Sequence, residues 1–241
     1  MVLLLGLFWY VDRIGIAGTG TIEILGVREG STVFIDNKRH VRTKDTEDVV
    51  LRNLAVGTHS VVVAKDGYWP WAKKLAVGNG EKLTVRVFIL PQDALVTILS
   101  SENAAYEAAS EALSPRETPT EDRPLLSDNG SVGLWIEDNK VMARWLKEEP
   151  LPPSFCITGA CDPTLVVIPS EERVTQATFF PRRDDVILFG TTEGIFAIEL
   201  DKRGTQNFQP FYLNTYAHFA TTKDGTVAIL DHSDTLRVIL P

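Results

Sequence analysis

The carboxylate clusters are the first place to look for chemistry in this chain. Asp184-Asp185 forms one, and Asp231 with Asp234 forms another. Paired carboxylates serve as acid and base in hydrolysis, or ligate calcium through hard oxygens. Both clusters sit in polar turns between β-type runs. There Asp is favoured simply because its side chain bonds the turn's own backbone, and that reading is preferred. No Gly-x-Ser-x-Gly elbow is present, and no glycine-rich phosphate loop. The four histidines, His40, His59, His218 and His232, are scattered, and there is one cysteine pair, so no metal-ligand set emerges. No catalytic, cofactor-binding or metal-binding residue is assigned, and the expectation is a non-enzymatic protein without a cofactor.

Two features invite a more specific reading. Cys156 and Cys161 flank Ile157-Thr158-Gly159-Ala160. Gly159 permits so short a loop to fold back and bring the sulfurs together. A disulfide closing it would contribute about 2 kcal/mol on the chain-entropy model. The alternative is two free, partly buried thiols. In an oxidising compartment the bond is the expectation. The second feature is Lys65-Asp66-Gly67-Tyr68-Trp69-Pro70-Trp71, set between β-type runs. Tyr68, Trp69 and Trp71 have faces able to stack on sugars or press against a partner. Core packing or capping of one end of a small sandwich is the preferred reading. By strand alternation Tyr68 is expected to fold over the core and Trp69 to be exposed. Asn129-Gly130-Ser131 matches a glycosylation acceptor, a pattern common by chance. Lys38-Arg39 with Arg42 and Lys44 reads as a solvated strand edge.

The elements that must hold these residues are strands. From Thr19 to Pro91 the apolar period is two, as in Thr21-Ile22-Glu23-Ile24-Leu25 and Thr32-Val33-Phe34-Ile35-Asp36. Turn residues at Asp36-Asn37, Val56-Gly57, Asp66-Gly67 and Gly78-Asn79-Gly80 separate the runs. The fold class is therefore all-β, beginning with a small antiparallel β-sandwich. Net charge is −8 and the hydrophobic content 44%. An acidic chain of ordinary composition excludes nucleic acid as the expected partner and excludes docking on anionic lipid through a basic patch. Met1 to Val11 is uncharged and apolar. As a helix it spans about 16 Å, short of a bilayer core of about 30 Å. Three readings compete: the outer half of a membrane anchor, an atypical signal or interfacial segment, or a buried element. Trp9 and Tyr10 at its polar end favour the anchor.

Residues 19–92 resemble a PEGA domain. The resemblance rests on Asp36-Asn37, on Gly57-Thr58-His59-Ser60-Val61 and on Gly67-Tyr68-Trp69-Pro70-Trp71. The name-giving motif survives only in part, as Arg28-Glu29-Gly30-Ser31. The resemblance implies an extracytoplasmic, membrane-tethered, non-catalytic module of bacterial and archaeal envelope proteins. The expected role is contact with an envelope protein or glycan, or a structural one at the outer face of the membrane.

After residue 92 the pattern changes. Glu102 to Leu113 is rich in alanine and glutamate and predicts a short helix. Ser114 to Pro124 holds three prolines and reads as linker, so 93–130 is a linker segment. From residue 131 to 241 three hairpins follow: Val132–Trp145, Val186–Leu200 and Thr226–Leu240. The last two are separated by about 40 residues, a spacing of propeller blades. Phe179-Phe180-Pro181-Arg182-Arg183-Asp184-Asp185-Val186 and Asp201-Lys202-Arg203-Gly204 resemble TolB-like blades. Material for three blades falls short of a ring. A partial β-propeller-like region results, whose edge is closed by a strand from elsewhere, or by a partner, or left open to self-association. The organisation expected is 1–18 anchor remnant, 19–92 sandwich, 93–130 linker and 131–241 propeller-like region, at the extracytoplasmic face of the cell membrane. The alternative is an enzyme accessory domain or a hydrolase with its site on the propeller-like face.

Overall fold

A computed structural model describes residues 18–239, apart from 94, 115–116, 149, 158–159, 170–172, 216 and 232–235. The apolar segment before residue 18, Gly159 and Asp234 thus lie outside the described residues. Among the described residues no helix is long and apolar enough to cross a membrane. The chain forms two compact units. One holds the residues up to Val63 together with Lys74–Val87. The other holds Ala64–Lys73 and the chain from Phe88 onward.

The first unit carries strands β1 (Thr19–Val27), β2 (Thr32–Ile35), β3 (Lys38–Arg42), β4 (Glu47–Ala55), β5 (Gly57–Ala64), β6 (Trp71–Val77) and β7 (Lys82–Arg86). The first two residues of β6, its third and the end of β5 fall in the second unit. The strands make two sheets, in orders β4-β1-β7 and β3-β2-β5-β6. Alternation works as the sequence predicts: Ile22, Ile24, Val49, Leu51 and Val85 are buried from one sheet, and Val33, Val61, Val63, Leu75 and Val77 from the other. The pairing of β1 with β7 departs from an antiparallel plan, since these strands run parallel. Asp36 and Asn37 both take positive φ, 49° and 63°, giving the two-residue turn between β2 and β3. Asp138 and Asn139 repeat this turn in the second unit, at 47° and 62°.

The second unit contains β8 (Val96–Ile98), helix α1 (Ala104–Ala112), β9 (Leu125–Leu126), β10 (Val132–Glu137), β11 (Lys140–Trp145), β12 (Cys156–Ile157), β13 (Ala160–Cys161), β14 (Thr164–Ile168), β15 (Gln176–Phe179), β16 (Val186–Gly190), β17 (Ile195–Glu199), β18 (Phe208–Tyr212), β19 (His218–Thr221), β20 (Val227–Leu230) and β21 (Leu236–Ile239). The expected helix is present, capped by Asn103, whose side chain accepts the Ala105 N–H at 2.9 Å. Each expected hairpin sits in its own antiparallel four-stranded sheet: β14-β11-β10-β9, β15-β16-β17-β18 and β19-β20-β21-β8. The third sheet takes its fourth strand from far upstream, in the segment read as linker. The central strands β16 and β17 are buried at every position, because the second sheet is covered on both faces. Ile187, Phe189, Phe196 and Ile198 share one core with Leu134, Val141, Leu165 and Val167 of the first sheet. Helix α1 lies against the third sheet, where Ala109 packs with Leu99, Ala228 and Leu236. In the segment of prolines Glu117 pairs with Arg123, and Glu121 with Arg144 of β11, both at the surface.

Candidate functional site: the aromatic corner and its buried ion network

The chain turns at Asp66-Gly67, where Gly67 takes φ 76°, and β6 begins directly after Pro70. Alternation along β6 then turns Trp71 and Lys73 to the buried side and Ala72 and Lys74 to the exposed side. The buried side of this segment faces the β17–β18 connection. Trp71 is 0% exposed and donates its indole N–H to Glu199 Oε2 at 3.2 Å. The Lys73 side chain is likewise 0% exposed, and its ammonium lies 2.8 Å from Glu199 Oε1 and 3.8 Å from Asp201 Oδ2. It also donates to the carbonyl oxygens of Asp201 at 2.7 Å and Arg203 at 3.0 Å. All three ammonium protons therefore have acceptors.

Glu199 is served from the other side by Asn207, whose backbone N–H at 2.7 Å and side-chain amide at 2.8 Å both reach Oε1. The same Asn207 accepts the Ala72 N–H through Oδ1 at 2.8 Å. Gln209 repeats the device one step along β18. Its Oε1 accepts the Leu90 N–H at 2.8 Å, and its Nε2 donates to the Phe88 carbonyl at 3.2 Å. Taking a carboxylate and an ammonium from water costs several kcal/mol per ion, so such a pair persists only where hydrogen bonds complete it. Burial pushes the Glu199 carboxyl up, against the opposing pull of Lys73 and Asn207. Burial also raises Asp201, but the hydrogen bonds from Arg203 and the charge of Lys73 outweigh it, and the net direction is down. The guanidinium of Arg203 clamps Asp201 at 2.7 to 2.9 Å.

The three aromatics thus have different situations. Tyr68 is half-buried, with the Lys65 ammonium 4.6 Å from its ring centre. Trp69 is half-buried rather than fully exposed, because its backbone N–H is drawn onto the Leu90 carbonyl at 2.8 Å. Trp71, counted among possible contact residues, is covered by its own chain and offers no face to a partner.

Cys156 and Cys161 are joined, S–S 2.06 Å, across the β12–β13 ladder. Asp184 accepts the Asn129 side-chain amide at 2.6 Å, and Asp185 is held by Arg183 at 2.5 and 2.7 Å. Buried Asp231 accepts from Tyr212 at 3.2 Å and Asn214 at 3.1 Å and pairs with Arg237. Asn129 is engaged through both ends of its amide, its Oδ1 accepting the Ser131 N–H at 2.8 Å. The basic run of β3 is an exposed sheet edge, as read. Among the described residues no group of three or more histidine, cysteine or acidic side chains forms a metal cluster. A shallow depression of about 210 Å³ on the first unit is lined by Glu23, Arg52, Glu81 and Lys82 among others. It is smaller than usual small-molecule sites, about 300–1,000 Å³. There Lys82 holds Glu23 at 2.9 Å and keeps its carboxyl below the usual range.

On the same unit His59 has two acceptors. Nδ1 meets Asp36 Oδ2 at 2.8 Å and Nε2 meets the Ala55 carbonyl at 2.7 Å. Only the imidazolium donates at both nitrogens, so the Ala55 carbonyl and then Asp36 raise its pKa. Asp36 is correspondingly lowered, by the His59 and Ser60 hydrogen bonds.

Comparison with known proteins bears on part of the chain. Residues 19–92 match the family model for the PEGA domain. No curated protein matches the chain. A solved structure from Bacteroides fragilis, described as a candidate membrane-associated protein of unknown function, is similar at 10% identity. The alignment covers 93% of this chain and 99% of that one, with a TM-score of 0.22, too slight a likeness to support an argument.

Proposed function

We propose that this chain is a non-enzymatic, membrane-tethered module of the bacterial cell envelope, exposed outside the cytoplasm, which binds or braces another envelope component. The PEGA match over residues 19–92 carries this reading. The Cys156–Cys161 bond supports it, since such bonds persist in oxidising compartments. The use of titratable groups points the same way. Glu199 and Asp201, whose pKa values are displaced, have their oxygens occupied by Lys73, Trp71, Asn207 and Arg203. Such groups brace a structure instead of meeting a substrate. The three four-stranded sheets, read as propeller-like blades, then serve as a rigid platform in the unit that also holds half-buried Tyr68 and Trp69.

Protease accessibility tests this. In intact spheroplasts producing the full chain, added protease should degrade it while a cytoplasmic marker survives. The chain should also pellet with membranes and be released by detergent but not by carbonate. Full protection from protease, or recovery in the cytosol with both cysteines open to alkylation, would overturn it.

A further inference from the structure

The strands at sheet edges in this protein differ in one respect. An edge strand exposes a row of backbone donors and acceptors that another strand can join, and charges or prolines normally discourage this. Edge β3 carries Lys38, Arg39 and Arg42, edge β4 carries Glu47, Asp48 and Arg52, and edge β18 contains Pro210. Edges β9, β14, β15 and β19 also lack formal charge and proline, but each holds partly or fully buried residues; β8 lacks such a guard and is exposed along its whole length. From Ala94 to Ser101 the sequence has neither a charge nor a proline. Leu95 is 77% exposed and Ile98 63% exposed, and all three residues of β8 are exposed.

The register says which backbone groups are open. β8 pairs with β21 through Thr97↔Val238, and the Leu99 N–H bonds the Leu236 carbonyl at 2.9 Å. Leu99 and Thr97 therefore direct their backbone groups at β21, and Val96 and Ile98 direct theirs to the outer edge.

We infer that β8 is a self-pairing edge, on which a second copy of this chain adds its own β8 antiparallel about a two-fold axis at Thr97. Three observations favour a second copy over another occupant. The pairing is self-complementary, because Val96 of each copy meets Ile98 of the other through the two outward rows. It places the exposed Val96 and Ile98 side chains of both copies on one face, as a four-residue apolar patch. Charge permits it although each copy carries −8. In this register the flanking Asp93 lies opposite Ser101 and Glu102 opposite Gln92, so no carboxylate faces another. The third sheet of each copy then continues into that of its mate, an isologous contact that closes on itself. An edge this short falls below the area of a stable dimer, roughly 1,000 Å², so the pair is weak in dilute solution.

Cysteine trapping reads such a contact directly. Across the axis Thr97 forms a non-hydrogen-bonded pair, with Cα atoms about 4.5 Å apart, within disulfide reach. The full chain in detergent, carrying Thr97→Cys, should give a covalent dimer under mild oxidation. Asp128→Cys, exposed and away from the edge, should give none. Adding Ile98→Lys to Thr97→Cys should lower the dimer yield at least about tenfold, equivalent to 1.4 kcal/mol. Because Ile98 is exposed, an unchanged thermal melt should confirm that this variant folds, and Val96→Lys provides a second version. Equal dimer from both cysteine positions, no dimer at position 97, or a yield indifferent to both lysine substitutions would overturn the inference.

Discussion

Replacing Lys73 with Met tests the buried network most directly. The side chains are close in length, so little packing is lost and the change is mainly one of charge. It removes the ammonium 2.8 Å from Glu199 and leaves the Asp201 and Arg203 carbonyls without their donor. Breaking a buried ion pair from one side costs about 3–5 kcal/mol. In a unit of this size 1 kcal/mol moves the melting temperature by about 2–4 °C, so the drop should be roughly 6–20 °C at pH 7. Glu199 then sets the pH dependence. Its carboxyl, already raised by burial, rises further without Lys73. A raised carboxyl keeps its proton in the folded state, so its stability contribution is fully present below the unfolded value of about 4.3 and is lost as pH rises through the folded value. The melting difference between Lys73→Met and the native chain should therefore be small near pH 4 and grow toward neutrality. Glu199→Gln should cost less than Lys73→Met, because Lys73 keeps two carbonyls and Asp201. Calorimetry from pH 4 to 8 measures all three. A Lys73→Met melt within about 2 °C of native at pH 7, or a difference independent of pH, would refute the reasoning.

The remaining predictions concern neighbouring features. Trp71→Ala removes a fully buried ring and should cost about 3–5 kcal/mol, while Trp69→Ala, half-buried, should cost clearly less; denaturant unfolding ranks them. His59 should titrate above its usual value of about 6.5 by NMR, and its stabilisation, complete below that value, should fade as pH rises through the folded pKa. Asp36→Asn should return His59 toward the usual value, and no change would discard the pairing. Limited proteolysis should cut first between Ser114 and Ser127, yet the two fragments should co-elute without denaturant, because β8 and α1 remain bound to β19–β21.

Much of the fold was legible because period and turn chemistry agree. Asp36-Asn37 and the run Glu137 to Lys140 mark their turns in the sequence, and both turns take the positive φ that such residues tolerate. The disulfide followed from spacing around a small loop. The network at Lys73 was not legible. Read locally, Lys74-Leu75-Ala76-Val77 is a strand, and nothing in that run marks the lysine one residue earlier as buried. Extending the alternation back through Trp71 places Lys73 inward, and that inward lysine is the signal that was available. Its partners Glu199 and Asn207 lie more than a hundred residues away in sequence, where no local rule reaches. The fourth strand of the last sheet was hidden similarly: Val96-Thr97-Ile98 is too short to stand out, and only pairing with β21 makes it a strand.

That same pairing sets a timetable for synthesis. Val96–Ile98 leaves the ribosome early, and its mate Leu236–Ile239 follows after roughly 140 further residues, a delay of about 7–28 s at 5–20 residues per second. Trp71 and Lys73 wait nearly as long for Glu199. Throughout that interval an uncharged, apolar edge and an unpaired ammonium stand ready with nothing to join. The nascent chain therefore reaches its last sheet through long-range closure, which is slow and leaves hydrophobic strand exposed. A helper that shields such segments until the carboxyl-terminal strands arrive should raise the yield of folded protein more than any acceleration of the first sandwich.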